Sequence, residues 1–232
     1  MQFYKLIALL NVEKGEPLAV HNNVHLFEEI LLLALKDETG TIEPGTQYHY
    51  ALGGALLAEL LINRRVSVFK KRKTNYIKAE QSVPMGDRLI DECYEMIRTS
   101  KKERAVQEWV TRFSSVKHLK ERIASHLCRR GILRNDEDKV LLLFNRTIYP
   151  EVNPEPEKLI RKRLRRAIFT DTEDISPRTA VLLSLAHSTN LLQVIFDKKE
   201  LKKRKKRIAQ ITNGDLIGKA AQEAIQAVQA AI

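Results

Sequence analysis

The apolar residues of 116–130 recur with a 3.6-residue period: Val116, Leu119, Ile123 and Leu127 fall on one side. That spacing predicts a helix with one buried stripe. Lys117, Lys120, Arg122, Arg129 and Arg130 surround the stripe, so such a helix can seat in a core and still present cations outward. A second cationic helix follows, with Leu159, Ile160, Leu164 and Ile168 as the stripe and Lys158, Arg161, Lys162, Arg163, Arg165 and Arg166 around it. Further helices are expected over Leu26–Lys36, Tyr50–Asn63, Gly86–Thr99 and Glu103–Phe113. Glu28 and Glu29 stand in early turns, where the helix dipole favours anions. Tyr50–Asn63 is apolar almost all round and belongs at the centre. Gly53 and Gly54 cost it up to ~1 kcal/mol each in propensity, which close packing would explain. Pro154 or Pro156 suits the first turn of the second cationic helix. Ser176-Pro177 caps Arg178–Thr189, Asp197–Ile211 is helical and very basic, and Gly218–Ile232 is an alanine-rich terminal helix.

Strand signals are short. Val66–Lys78 alternates weakly around a basic tip, Lys70–Lys73, and predicts a β-hairpin. Gly131 is a good residue to end the 116–130 helix. Ile132-Leu133 and Val140–Phe144 read as strands flanking a turn at Arg134–Asp138, an order that a winged-helix element would share. Leu141–Val152 carries Phe144, Ile148, Tyr149 and Val152 around a turn. Either it packs inside or its tip dips into a bilayer or a partner. With no internal repeat and no Gly/Ser/Pro-rich linker, the expected fold is mainly α: a single globular helical domain with short β-hairpins.

The chain has 232 residues, 44% of them hydrophobic and only 6% aromatic, so its core is built from Leu, Ile, Val and Ala. Forty basic residues against 29 acidic ones give a net charge of +11. That surplus permits attraction to nucleic acid, acidic lipid or acidic protein without choosing among them; ordinary solubility charge is the plain alternative. Cys93 and Cys128 show no metal-ligand spacing and suggest buried thiols in a reducing compartment, with a disulfide between them left open by sequence. Leu6–Leu10 lacks a small-residue cleavage site and is not read as a signal peptide. The aliphatic run Ile30–Leu35 is far short of the ~20 residues of a spanning helix, so membrane contact would be peripheral.

No motif carries a reaction. His187 has no nucleophile or carboxylate named by its surroundings and reads as a packed core histidine; a hydrolase built on it is the weakest reading. His118 and His126 lack a third ligand, Ser114–Lys117 matches a catalytic SxxK spacing without its companions, and Asp171–Asp174 reads as an exposed loop. No metal or cofactor is expected. The densest charge block, Lys198–Arg207, suits a nucleic-acid arm, a nuclear import signal or a membrane-facing patch. It also suits a solvated helix face beside a seam of Leu201, Ile208 and Ile211.

Several stretches resemble, in order, the Golgi phosphoprotein 3 family: Leu26–Asp37, Leu52–Leu60, Gly86–Glu92, Val116–Ile123, Gly131–Leu133 leading into Leu141–Phe144, and Leu183–Ser188. The resemblance covers roughly residues 24–232 and leaves 1–23 as an N-terminal extension. It implies a non-enzymatic peripheral protein of the cytosolic face of Golgi membranes. Such a protein would bind phosphatidylinositol 4-phosphate in a basic pocket, link cargo proteins to sorting machinery, and use a hydrophobic hairpin for insertion and self-association. Carried over by position, the two helix arginines of the pocket fall at Lys117 and Lys120, with Arg122 beside them. A third falls at Gly53 and the pocket tryptophan near Pro44. Tyr48, His49, Arg64 and Arg65 are the candidates to substitute. The hairpin corresponds to Phe144–Val152, with Phe144, Ile148, Tyr149 and Val152 as its apolar residues. The alternative is a nucleic-acid-binding protein that uses the winged-helix-like segment and the 198–207 run.

Overall fold

The first described helix, α1 (Leu26–Ala34), is buried at every one of its positions. A helix buried on all sides, its two glutamates included, must be wrapped on all sides, and α1 packs against five other helices. The computed structural model describes residues 24–80, 84–140, 144–214 and 226. Leu6–Leu10 lies outside them, as does nearly all of the terminal helix expected at 218–232. Beside α1 runs α2 (Tyr48–Ile62), buried from Ala51 to Leu60, as its apolar composition predicts.

From α2 the chain enters the expected hairpin, β1 (Val66–Lys71) and β2 (Thr74–Ala79), paired antiparallel from Val66–Ala79 to Lys71–Thr74. Helix α3 (Arg88–Arg98) follows, capped by Asp87, whose carboxylate accepts from the Leu89 and Ile90 N–H groups. A short strand, β3 (Arg104–Ala105), adds to the free side of β2 and leads into α4 (Val106–Ser114). Helix α4 lies tightly on α2. A Cβ added to Gly53 would stand 2.5 Å from the Val110 carbonyl oxygen and 2.8 Å from the Ser114 nitrogen. The glycine therefore sets the distance between the two backbones.

The first cationic helix is shorter than its periodicity suggests: α5 spans Leu119–Arg129. The Ser115 and Val116 N–H groups close the end of α4, and His118 takes a left-handed backbone, φ 54°. Val116 and Lys117 thus belong to a turn. The hairpin after Gly131 also shifts. Its strands are β4 (Asp136–Val140) and β5 (Phe144–Ile148), so most of the turn expected at 134–138 is strand. The acidic β4 is held by a cross-strand pair of Asp138 with Arg146 at 2.6 Å. Beyond the hairpin lie α6 (Glu155–Phe169), α7 (Pro177–Ser188), α8 (Leu192–Ile195), α9 (Lys198–Lys203) and α10 (Lys205–Thr212). The single basic helix expected at 197–211 is broken at Arg204. Its Leu201, Ile208 and Ile211 are buried as a seam. The fold is one mainly helical globular domain, with two small antiparallel sheets among the described residues.

Candidate functional site

Three elements meet at a cleft of about 240 Å³. The start of α2 supplies Tyr48, His49 and Leu52. The end of α4 and the following turn supply Ser114, Val116 and His118, and the start of α5 supplies Leu119, Lys120 and Glu121. Lys120 is the one lysine or arginine in this lining. Its ammonium lies 3.3 Å from Glu121 and 5.8 Å from the centre of the Tyr149 ring, so its stem is steered by an ion pair and an aromatic face. Burial pushes the Tyr48 hydroxyl above its ordinary value and the Glu121 charge adds to this; Tyr48 therefore stays protonated and able to donate. A lysine, a phenol and two imidazoles thus surround a small opening whose one carboxylate, Glu121, is paired with the lysine.

The structure does not gather all the expected residues there. Lys117 is exposed and does not line the cleft, because the left-handed turn at His118 separates it from α5. Arg122 faces the other side of α5, where it pairs with Glu92 at 2.6 Å and lines a different cavity. Gly53 is sealed between α2 and α4 and has no room for a ligand. Tyr48 and His49 do line the cleft; Arg64 and Arg65 do not. His118 lines it as well, a role that no spacing in the sequence announced.

The second hairpin is also redistributed. Tyr149 is only 4% exposed, held where its N–H bonds the Gly40 carbonyl at 3.0 Å. It is thus a wall of the core and not an insertion residue. Ile148 is half-buried, whereas Val152 is 57% exposed. Phe144 begins β5. Leu141–Leu143 lie outside the described residues. Asp136, Glu137 and Asp138 make β4 an acidic strand, with Asp136 paired to Arg134 and Asp138 to Arg146, a poor surface for the phosphate backbone that the winged-helix alternative requires.

Much of the positive charge is spent internally. Glu28, Glu29 and Glu59 are all buried. Glu28 takes His126 at 2.5 Å and Arg130 at 3.2 Å. Glu29 takes Arg163 at 2.7 Å and Arg178 at 3.2 Å. Glu59 takes Arg178 at 3.0 Å and the Leu26 N–H at 2.6 Å. Burial alone would raise the Glu59 carboxyl. The neighbouring His25, Arg178 and the Leu26 N–H outweigh it and hold the group below its ordinary value. Arg130 and Arg163, expected to point outward, thus point inward. From the basic run, Arg204 and Arg207 bond carbonyls at the end of α6 and in the loop beyond it. The run's six lysines are exposed. His187 is exposed on the rim of an apolar groove, not packed in the core. Cys93 is buried, Cys128 is half-buried, and both are free thiols.

One cluster had no sequence signal, because its members lie in three separate segments. Carboxylate oxygens of Asp37, Glu151 and Glu157 stand within 4.8 Å of one another. Burial pushes Glu157 from 4.5 to about 7; Arg161 opposes the shift, and Asp37 and Glu151 add to it. The folded chain therefore holds a proton that the unfolded chain releases. The resulting stability is complete below the unfolded carboxylate value and is lost as pH rises through about 7. Melting curves at about pH 6 and about pH 8 should show parent stability falling with pH. Glu157→Gln should flatten that fall, which over this pH range has a ceiling of about 1.4 kcal/mol. An unchanged slope would contradict the assignment.

Among the described residues no helix is long and apolar enough to cross a membrane. The fold and cleft thus define a mainly helical domain with a small polar opening beside its central helices. The chain belongs to the Golgi phosphoprotein 3 (GPP34) family, whose description matches residues 26–228. It is similar to vacuolar protein sorting-associated protein 74 of Schizosaccharomyces pombe, with 27% identity over 233 residues, covering 87% of this chain and 68% of that protein.

Proposed function

We propose that this protein is a non-enzymatic adaptor in Golgi membrane trafficking that docks peripherally on the cytosolic face by taking an acidic lipid headgroup, phosphatidylinositol 4-phosphate, into the Tyr48–Lys120 cleft. Family membership supports the trafficking role, and the observation that carries the headgroup reading is the cleft itself. Lys120 supplies the charge, while Tyr48, His49 and His118 supply polar contacts. Lys117, exposed on the adjoining turn, adds field at the membrane surface, and Arg122 contributes only at longer range. The exposed Val152 and the β4–β5 hairpin meet the bilayer or a second copy, and protein cargo binds elsewhere on residues 24–232, with 1–23 as an extension. A cation near an anionic leaflet contributes about 1 kcal/mol, or roughly fivefold in affinity. Flotation with vesicles containing phosphatidylinositol 4-phosphate, phosphatidylserine or neither tests this. Lys120→Ala should weaken binding to the first by about fivefold or more, since a buried-side contact adds to the surface term, and Lys117→Ala by less. Equal binding of parent and Lys120→Ala would remove the cleft as the headgroup site.

A further inference from the structure

The far side of α5 carries a second and larger cavity, about 470 Å³, bounded by α3 and α5. Phe27, Leu89 and Ile123 form its floor, and Arg88, Arg122 and Arg129 stand around it. The charges are not balanced. The Asp87 carboxylate caps α3, Glu121 faces Lys120, and Glu92 faces Arg122. Among the described residues, the side chains of Arg88 and Arg129 make no ion pair and no hydrogen bond, although both lie within helices. The arginines of α6 and α10, by contrast, are mostly tied to carboxylates or helix ends. Two planar guanidiniums left open over one cavity match the oxygens of a doubly charged group, and a phosphomonoester carries −1.5 to −2 charges near neutrality.

We propose that this α3–α5 cavity is a second anion site, in which Arg88 and Arg129 bind a phosphomonoester. It is separate from the headgroup cleft, with Glu121 as their shared wall. The phosphate comes either from a soluble metabolite or from a lipid headgroup. Neither arginine is buried, so R88Q/R129Q removes the charges without emptying the core, and its melting temperature should equal the parent's. The probe is inorganic phosphate, followed by amide shifts in NMR. Amides of Gly86–Ile90 and Arg122–Arg129 should shift and saturate. R88Q/R129Q should raise the half-saturating concentration at least tenfold, and Lys120→Ala should leave it unchanged. Absence of a saturable shift at those amides, or an R88Q/R129Q titration like the parent's, would overturn the site. Vesicles containing phosphatidylinositol 4-phosphate then separate the sources. A fivefold loss of binding by R88Q/R129Q assigns the phosphate to lipid; unchanged vesicle binding beside a lost phosphate titration assigns it to a soluble ligand. Failure of the first cleft would register separately, as vesicle binding insensitive to Lys120→Ala.

Discussion

Arg178→Met is expected to destabilise the fold by about 3 kcal/mol or more, the loss typical of a buried charge stripped of its partner. Among the described residues, Arg178 is the one side chain that bridges the carboxylates of both central helices, through Glu29 on α1 and Glu59 on α2. It also donates to the Val24 carbonyl at 2.5 Å. Without it Glu29 keeps Arg163, whereas Glu59 keeps only Asn63, the Leu26 N–H and a His25 ring nitrogen at 3.7 Å. In the parent the Glu59 carboxyl sits below its ordinary value. Its contribution is therefore present above the unfolded carboxylate value and lost as pH falls through the folded one. The variant lacks part of that contribution, so the gap between parent and variant should narrow in acid. Urea unfolding at neutral and acidic pH measures both effects. A loss under about 1 kcal/mol, within the range of an exposed pair, would mean that the network is solvated and contributes little.

Gly53→Arg should prevent folding at ordinary temperatures, and Gly53→Ala should cost about 1–3 kcal/mol, the range for overpacking a filled interior. The reason is backbone, not side chain: the Val110 carbonyl and the Ser114 nitrogen occupy the space a Cβ needs, and neither can rotate away. Soluble yield and thermal unfolding of the two variants check this. A Gly53→Ala protein as stable as the parent would show that α2 and α4 can separate cheaply. The position also matters for function. An arginine corresponding to Gly53 cannot be restored here by substitution, so the headgroup binding proposed above rests on Lys120 and its polar neighbours.

The helices were legible because burial on one side leaves a periodic mark. The all-apolar Tyr50–Asn63 pattern marked α2 as central, and Ser176 and Gly131 marked ends through their own local hydrogen bonds and backbone preferences. The same rule failed at Val116–His118. One left-handed residue ended a pattern whose apolar spacing continued. It failed again at Asp136–Asp138, where a cross-strand arginine made strand out of residues that favour turns. The residues matched to the family's pocket were less legible. Lys117, Lys120 and Arg122 are near neighbours in the sequence and Gly53 was matched to the same pocket, yet the four separate into a turn, a cleft, an opposite cavity and a helix contact.

Sequence alone therefore determined the helical class, the central position of α2 and the basic surplus. These depend on each residue's own polarity and its neighbours within a few turns. Which cations remain available was decided only in three dimensions. Arg130, Arg163 and Arg178 are drawn inward by carboxylates from distant segments, while among the described residues the Arg88 and Arg129 side chains meet none. Charge is written residue by residue, but neutralisation depends on separations of a few ångströms, and the chain acquires those only when its helices close around α1.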